Sequence, residues 1–361
     1  MKRGLILTCG TSVLATRHPP RTPAEEADPL RVVLHGAWQQ VAPHYAGLVD
    51  EEQAARLHGE DHVLTVERFD LRPWEEAFLG TALSTTVPAA DARYGMSLRA
   101  LGVEAESLVR RIHENGPPRP SGERTTLVDE DRVALLVSQT LEGVLSGLLI
   151  AMSIGRGVRV WRSPRPTPDV GRPLNDVWTQ VPIHSERGDA DGGAAPVDVF
   201  IIDGLTVESQ DEHRKQLRDS AVALCQVLLQ TLPAHADRID GWSDVQDVEV
   251  ELSGGYKATL PLMHSLLGYF GTFVGENELT VFLRHERAPD NWIPSALRRL
   301  PREEVKRHLR ELRQVREAPH RDPSGPLVLH GFGWVDRRGS RDLTPEGHGI
   351  LQLQRLIWNA G

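Results

Sequence analysis

Short apolar runs of strand length alternate along this chain with longer stretches of helical periodicity. Residues 4–8 form a continuous apolar segment ended by Gly10, the pattern of a strand buried on both faces. A proline-rich stretch follows (Pro19, Pro20, Pro23), then a predicted helix over 29–57 and a second strand over 63–69. Leu98, Leu101, Leu108 and Ile112 recur on one face of a predicted helix over 97–113, and a proline and glycine loop spans 115–123. The clearest unit is the strand Arg132-Val133-Ala134-Leu135-Leu136-Val137, which passes through Ser138-Gln139-Thr140 into a helix over 141–154. Strands over 157–161, 197–202 and 248–252 follow, and one over 279–285 closes the series. Helices over 210–232 and 258–273 lie between them; Pro261 falls in the first turn of the latter, where proline is tolerated. Residues 164–196 are rich in Pro, Gly and Asp and read mostly as an insertion or long loop.

Strand alternating with helix over roughly 290 residues predicts a mainly parallel, doubly wound α/β sheet. Ligands bind such sheets at the carboxyl ends of the strands. From Pro301 the character changes, and the chain divides on this pattern into 1–300 and 301–361. A charged helix is predicted over 303–315; between Arg298 and Arg321 nine Arg/Lys face four Glu. After the breakers Pro319, Pro323, Ser324, Gly325 and Pro326, the run from Gly333 to Gly347 has a Gly339-Ser340 tip and leads into a last helix over 348–358. It looks like the end of a winged-helix domain, with Thr344 as cap and Pro345 at the first helical position.

Composition narrows the class. A chain of 361 residues with 40% hydrophobic content is an ordinary globular protein. Its net charge of −9 argues against a general nucleic-acid coat, though not against a local basic site. The two cysteines, Cys9 and Cys225, lie far apart, have no metal spacing, and read as buried small residues in a reducing compartment. No metal site and no cofactor are expected. The N-terminal apolar run is about five residues long, too short for a secretory leader, and the stretch from Val144 to Ile154 is far short of the roughly 20 residues of a membrane span. A cytoplasmic location is the expectation.

Two glycine turns carry the candidate chemistry. One is Leu5-Ile6-Leu7-Thr8-Cys9-Gly10-Thr11-Ser12; the other is Val248-Glu249-Val250-Glu251-Leu252-Ser253-Gly254-Gly255-Tyr256-Lys257. Glycine lets backbone N–H groups approach phosphate oxygens, and a helix that follows adds its positive end. The only lysines are Lys2, Lys215, Lys257 and Lys306, so Lys257 stands out in an arginine-biased chain, a compact ammonium inside a glycine turn. Plainer roles stand beside these. Ser12 and Thr140 could each be a helix N-cap, Lys257 an exposed turn residue, and Cys9 a packing residue.

In this order and spacing, the opening Leu-Thr-Cys-Gly-Thr-Ser, the middle Leu-Leu-Val-Ser-Gln-Thr-Leu-Glu-Gly and the late Leu-Ser-Gly-Gly-Tyr-Lys resemble the CRISPR-associated Rossmann-fold (CARF) proteins. These are sensors of the cyclic oligoadenylates made by type III CRISPR complexes. The strand Thr280-Val281-Phe282-Leu283-Arg284-His285-Glu286, running on through Trp292-Ile293-Pro294 to Leu300-Pro301, also fits that family, and Glu104-Ala105-Glu106-Ser107-Leu108 fits more loosely. The resemblance covers residues 1–300; Gln139 stands where an acidic residue is more usual.

The resemblance implies a Rossmann-like sheet and a homodimer whose crevice binds a ring of AMP units. A two-fold dimer suits a two-fold ring, because each protomer presents the same patch to half of the ligand, and the four-membered ring is the leading choice. It assigns ligand contacts to Gly10, Thr11, Ser12, Ser138, Thr140, Ser253, Gly254, Gly255, Tyr256 and Lys257. Some family members also cut the ring; for that activity Lys257 would neutralise charge while Ser12 or Thr11 orients the phosphate. The alternatives are a ligand-sensing regulator that binds DNA through the winged-helix-like tail, and an effector with a C-terminal RNase. Arg302 to His308 and Arg313 to His320 have that RNase spacing without its usual polar residue after the arginine. A dinucleotide-dependent enzyme is disfavoured, since no G-x-G-x-x-G follows the first strand.

Overall fold

The first apolar run becomes β1 (Lys2–Thr8), buried from Gly4 onward. The structure is a computed structural model; it describes residues 2–27, 29–48, 69–79, 108, 126–153, 156–163, 178–184, 194–202, 204–205, 210–233, 238–254, 259–275, 278–285, 288–317 and 343–353. β1 leads into a 3₁₀ turn (Ser12–Arg17), and α1 (Pro23–Glu26), α2 (Pro29–Leu48), β2 (Phe69–Asp70) and α3 (Arg72–Leu79) come next. The middle contributes β3 (Arg132–Ser138), α4 (Leu141–Ser153), β4 (Val158–Arg162), β5 (Thr179–Val181), β6 (Ile183–His184) and β7 (Val197–Ile202). Then come α5 (Gln210–Thr231), β8 (Val245–Glu251), α6 (Thr259–Phe270), β9 (Leu279–His285), β10 (Ala288–Pro294), α7 (Arg302–Glu317) and α8 (Pro345–Leu351).

The protein is α/β. One eight-stranded sheet has the order β10-β9-β8-β1-β3-β7-β4-β5, and β2 pairs with β6 apart from it. Its six inner strands, β9 to β4, run parallel, and β10 and β5 are antiparallel edges. Alternate residues of each strand feed opposite faces, as the pleat requires. Leu5 and Leu7 join Trp38, Trp74, Phe78 and Leu145, so α2, α3 and α4 cover one face. Ile6 joins Leu224, Leu228, Leu266 and Phe270, so α5 and α6 cover the other.

The order places a reversal beside β1. The chain moves from β1 to β3 and on to β4 with its helices on the first face. After β7 it crosses back to pair β8 with the other side of β1, now with helices on the second face. β1 and β8 therefore flank the topological switch point of the sheet, the place where the strand ends are left open to a ligand.

One sequence expectation is corrected. The strand over 279–285 does not close the series, because β10 folds back on it as an edge strand. Its Pro289, Asp290 and Asn291 look like a loop, yet an edge strand tolerates proline and polar residues because one side needs no partner. Within 164–196, the stretch that reads mostly as an insertion or long loop, the described residues include the short strands β5 and β6. Trp178 is 3% exposed and immediately precedes β5, which pairs with β4.

After Pro301 the described residues share the main core. Val305, Leu309, Leu312 and Val315 of α7 belong to the same buried cluster as α5 and α6, and so do Ile350 and Leu351 of α8. Thr344 caps α8 by accepting from the Gly347 N–H at 3.2 Å, with Pro345 beginning the helix, as its sequence indicates. The wing segment from Gly333 to Asp342 lies outside the described residues, as do most of 97–113 and 49–68.

Away from the switch point, a polar knot holds the sheet. Asp198 of β7 is fully buried. It accepts from Arg159 Nε at 2.7 Å and Nη2 at 3.0 Å, from Trp161 Nε1 at 2.7 Å and from Trp242 Nε1 at 2.8 Å. Four donors on one carboxylate offset its burial.

Candidate functional site

Both glycine turns leave the sheet at the switch point. The β1–β8 ladder ends with Leu7 opposite Glu251. Beyond that pair the main chains bond outward. Cys9 N–H donates to Leu136 O of β3 at 2.8 Å, and Leu252 N–H donates to Phe282 O of β9 at 3.0 Å. The registered pairing of the two strands ends there, at their carboxyl ends. Past that end, Thr8 Oγ1 donates to Gly254 O at 2.5 Å, joining residues 246 apart in sequence. Turns at opposite ends of the chain become immediate neighbours.

Gly10 is half-buried and Thr11 exposed, and Ser12 opens the 3₁₀ turn, with Leu14 N–H donating to Thr11 O at 3.0 Å. An α-helix therefore does not follow β1 directly, as a simple N-cap at Ser12 would require. Ser253 and Gly254 are half-buried, and Ser253 Oγ is shielded from solvent with no hydrogen-bond partner. A hydroxyl in that condition is uncommon in a native interior and marks a place where a polar partner fits. Gly255, Tyr256 and Lys257 lie outside the described residues.

The middle turn sits beside the first, since β3 is the neighbour of β1 on its other flank. Thr140 does cap α4, its Oγ1 accepting from Gly143 N–H at 3.1 Å. Its hydroxyl also shares a 2.8 Å hydrogen bond with Ser138 Oγ. Whichever hydroxyl donates within that pair, the hydrogen of the other is left for a third group. Gly143 is required by close approach, because a Cβ there would lie 2.1 Å from Ser138 Oγ and 2.8 Å from Ser138 O. Gln139 is 9% exposed, and its Oε1 accepts from Gly204 N–H at 3.2 Å, which ties the β3 turn to the turn after β7. Gly204 has φ 81°, a conformation that favours glycine.

Sequence reasoning passed over two features. Thr8 was visible only as the end of an apolar run, and nothing local marks its partner. Asp247, Glu249 and Glu251 alternate along β8 and are all buried, as is Arg284 of β9. Register pairs Glu251 with Phe282, so Arg284 lies at the carboxyl end of β9, its guanidinium 5.3 Å from the Trp292 ring. The Val-Glu-Val-Glu alternation was the available signal.

Cys9 and Cys225 are both buried and outside any disulfide, and Cys9 packs in the core as a small apolar residue does. His308 is fully buried on the inner face of α7, its Nδ1 3.1 Å from Tyr269 Oη, so it does not face solvent. His320 lies outside the described residues, and so do His58 and His62, which share the one H-x-x-x-H spacing in the chain. Among the described residues no helix is long and apolar enough to cross a membrane. No protein-family model matches the chain, and no curated protein matches it either.

Proposed function

We propose that this chain binds a cyclic oligoadenylate, the four-membered ring first, at the switch-point crevice of a homodimer. We propose further that it cleaves the ring as a nuclease that ends type III CRISPR signalling. The observation that carries the reading is the Thr8–Gly254 hydrogen bond, which sets the Gly10-Thr11-Ser12 and Ser253-Gly254 turns side by side at the carboxyl ends of parallel strands. Backbone donors beside glycine, the uncommitted hydroxyl of the Ser138–Thr140 pair and the Ser253 hydroxyl make a donor-rich rim suited to phosphodiester oxygens. On this reading the sheet is a Rossmann-like CARF domain and 301–361 a winged-helix-like addition.

Ring cleavage is an intramolecular displacement. A ribose 2′-oxygen attacks the adjacent phosphorus in line, the bond from phosphorus to the 5′-oxygen breaks, and the 2′-hydroxyl proton passes to the departing oxygen through solvent. The product ends in a 2′,3′-cyclic phosphate. The protein's part is to hold the attack geometry and to neutralise charge on the phosphorane. Lys257 takes the second task, and Thr11 or Ser12 orients the phosphate.

The DNA-binding reading of the tail has less behind it. Lys306 pairs with Glu303 at 2.7 Å and Arg313 with Glu317 at 2.6 Å, while Arg307 lies 3.9 Å from both Glu304 and Glu311. Much of the α7 charge is thus balanced along the helix itself. The test is incubation of the purified chain with labelled cyclic tetra-adenylate and cyclic hexa-adenylate in chelator, wild type beside Lys257→Ala. Linear products ending in 2′,3′-cyclic phosphate, lost in the variant, are expected. Tight binding with no product would make the protein a sensor instead.

A further inference from the structure

We infer that Thr8 is a positioning residue that clasps the two walls of the crevice, an inference that rests on the ligand-site reading above. Thr8 is the last residue of β1 and is 5% exposed. The registered pairing of β1 with β8 ends at Leu7 and Glu251, and Gly254 lies beyond it. The Thr8 hydroxyl adds a side-chain rung past that end, donating to the carbonyl of Gly254 three residues beyond the last β8 partner. That carbonyl belongs to the peptide plane inside the glycine turn.

A ligand that touches both turns needs them at a constant separation, and one part-buried side-chain hydrogen bond supplies it. The neighbouring residues would not hold the turn in its place. Gly254 has no side chain, and Ser253 Oγ has no hydrogen-bond partner. Thr8 carries two separable contributions, a buried methyl that packs and a hydroxyl that clasps. Val keeps the shape and loses the hydroxyl; Ser keeps the hydroxyl and loses the methyl.

The two substitutions therefore separate positioning from simple stability. Thr8→Val is expected to keep the wild-type melting temperature to within a few degrees and to bind cyclic tetra-adenylate about tenfold more weakly, because the turn is no longer held toward β1 and about one hydrogen bond's worth of positioning is lost. Thr8→Ser is expected to melt lower and yet to bind within about twofold of wild type, because the hydroxyl donor is retained. Amide hydrogen exchange without ligand, over a peptide containing residues 253–258, should quicken in Thr8→Val and recover in Thr8→Ser. Unchanged exchange in Thr8→Val overturns the inference, and so does affinity that follows melting temperature across the series. If wild type binds neither ring, the ring-binding reading falls by itself, and the exchange rates alone decide whether Thr8 clasps the turns.

Discussion

A buried carboxylate is stable only when its lone pairs are taken, and Asp198 shows how fully this protein meets that demand. Arg159, Trp161 and Trp242 all donate to it. In Asp198→Asn one oxygen becomes a donor facing donors, and Arg159 loses its buried counter-charge. A loss of about 3–5 kcal/mol is expected in urea unfolding, the usual result of breaking a buried pair on one side. Gly143→Ala is a second residue-scale test. Its methyl would meet the Ser138 backbone carbonyl, which has no free rotation to escape. Destabilisation of roughly 1–3 kcal/mol is expected by the same method, as for other overpacked sites. The cap at Thr140 was legible in the sequence because capping is local, a hydroxyl meeting an N–H three residues on. The clasp at Thr8 was not, since its acceptor lies 246 residues away.

Helix α7 shows how an element can be read correctly in extent and still hide its role. Its span, Arg302–Glu317, contains the predicted 303–315, but only the structure shows that His308 points inward. Burial holds the His308 imidazole below its ordinary pKa of 6.5; Arg307 adds to the shift and Glu304 opposes it, while Tyr269 of α6 faces Nδ1. The folded chain thus resists the proton that the unfolded chain accepts. The His308 contribution to stability is complete above about pH 6.5 and is lost as pH falls below it. Melting temperature should drop with acidification through that range, and His308→Gln should drop less steeply. Equal slopes would show that other groups dominate. β3 and β7 matched expectation nearly residue for residue because both are short apolar runs buried on both faces. β5 and β10 did not, because edge strands need neither a continuous apolar run nor the absence of proline.

At the scale of the whole molecule, periodicity revealed the alternation of strand and helix but not the strand order. Hydrophobic pattern says which faces are buried, and it is silent on which strand lies beside which. That β8 would return to the far side of β1, and so bring residues 8–10 against 253–254, follows from packing helices on both faces of one sheet. The candidate site was therefore legible as two separate turns and not as one place. The most direct measurement is a calorimetric titration of the full chain with cyclic tetra-adenylate in chelator, wild type beside Lys257→Ala. Saturation at one ring per two chains is predicted, with affinity weakened at least tenfold in the variant, the worth of about 1.4 kcal/mol of lost interaction. No heat and no binding for the wild type, with cyclic hexa-adenylate equally inert, would contradict the ring-binding reading.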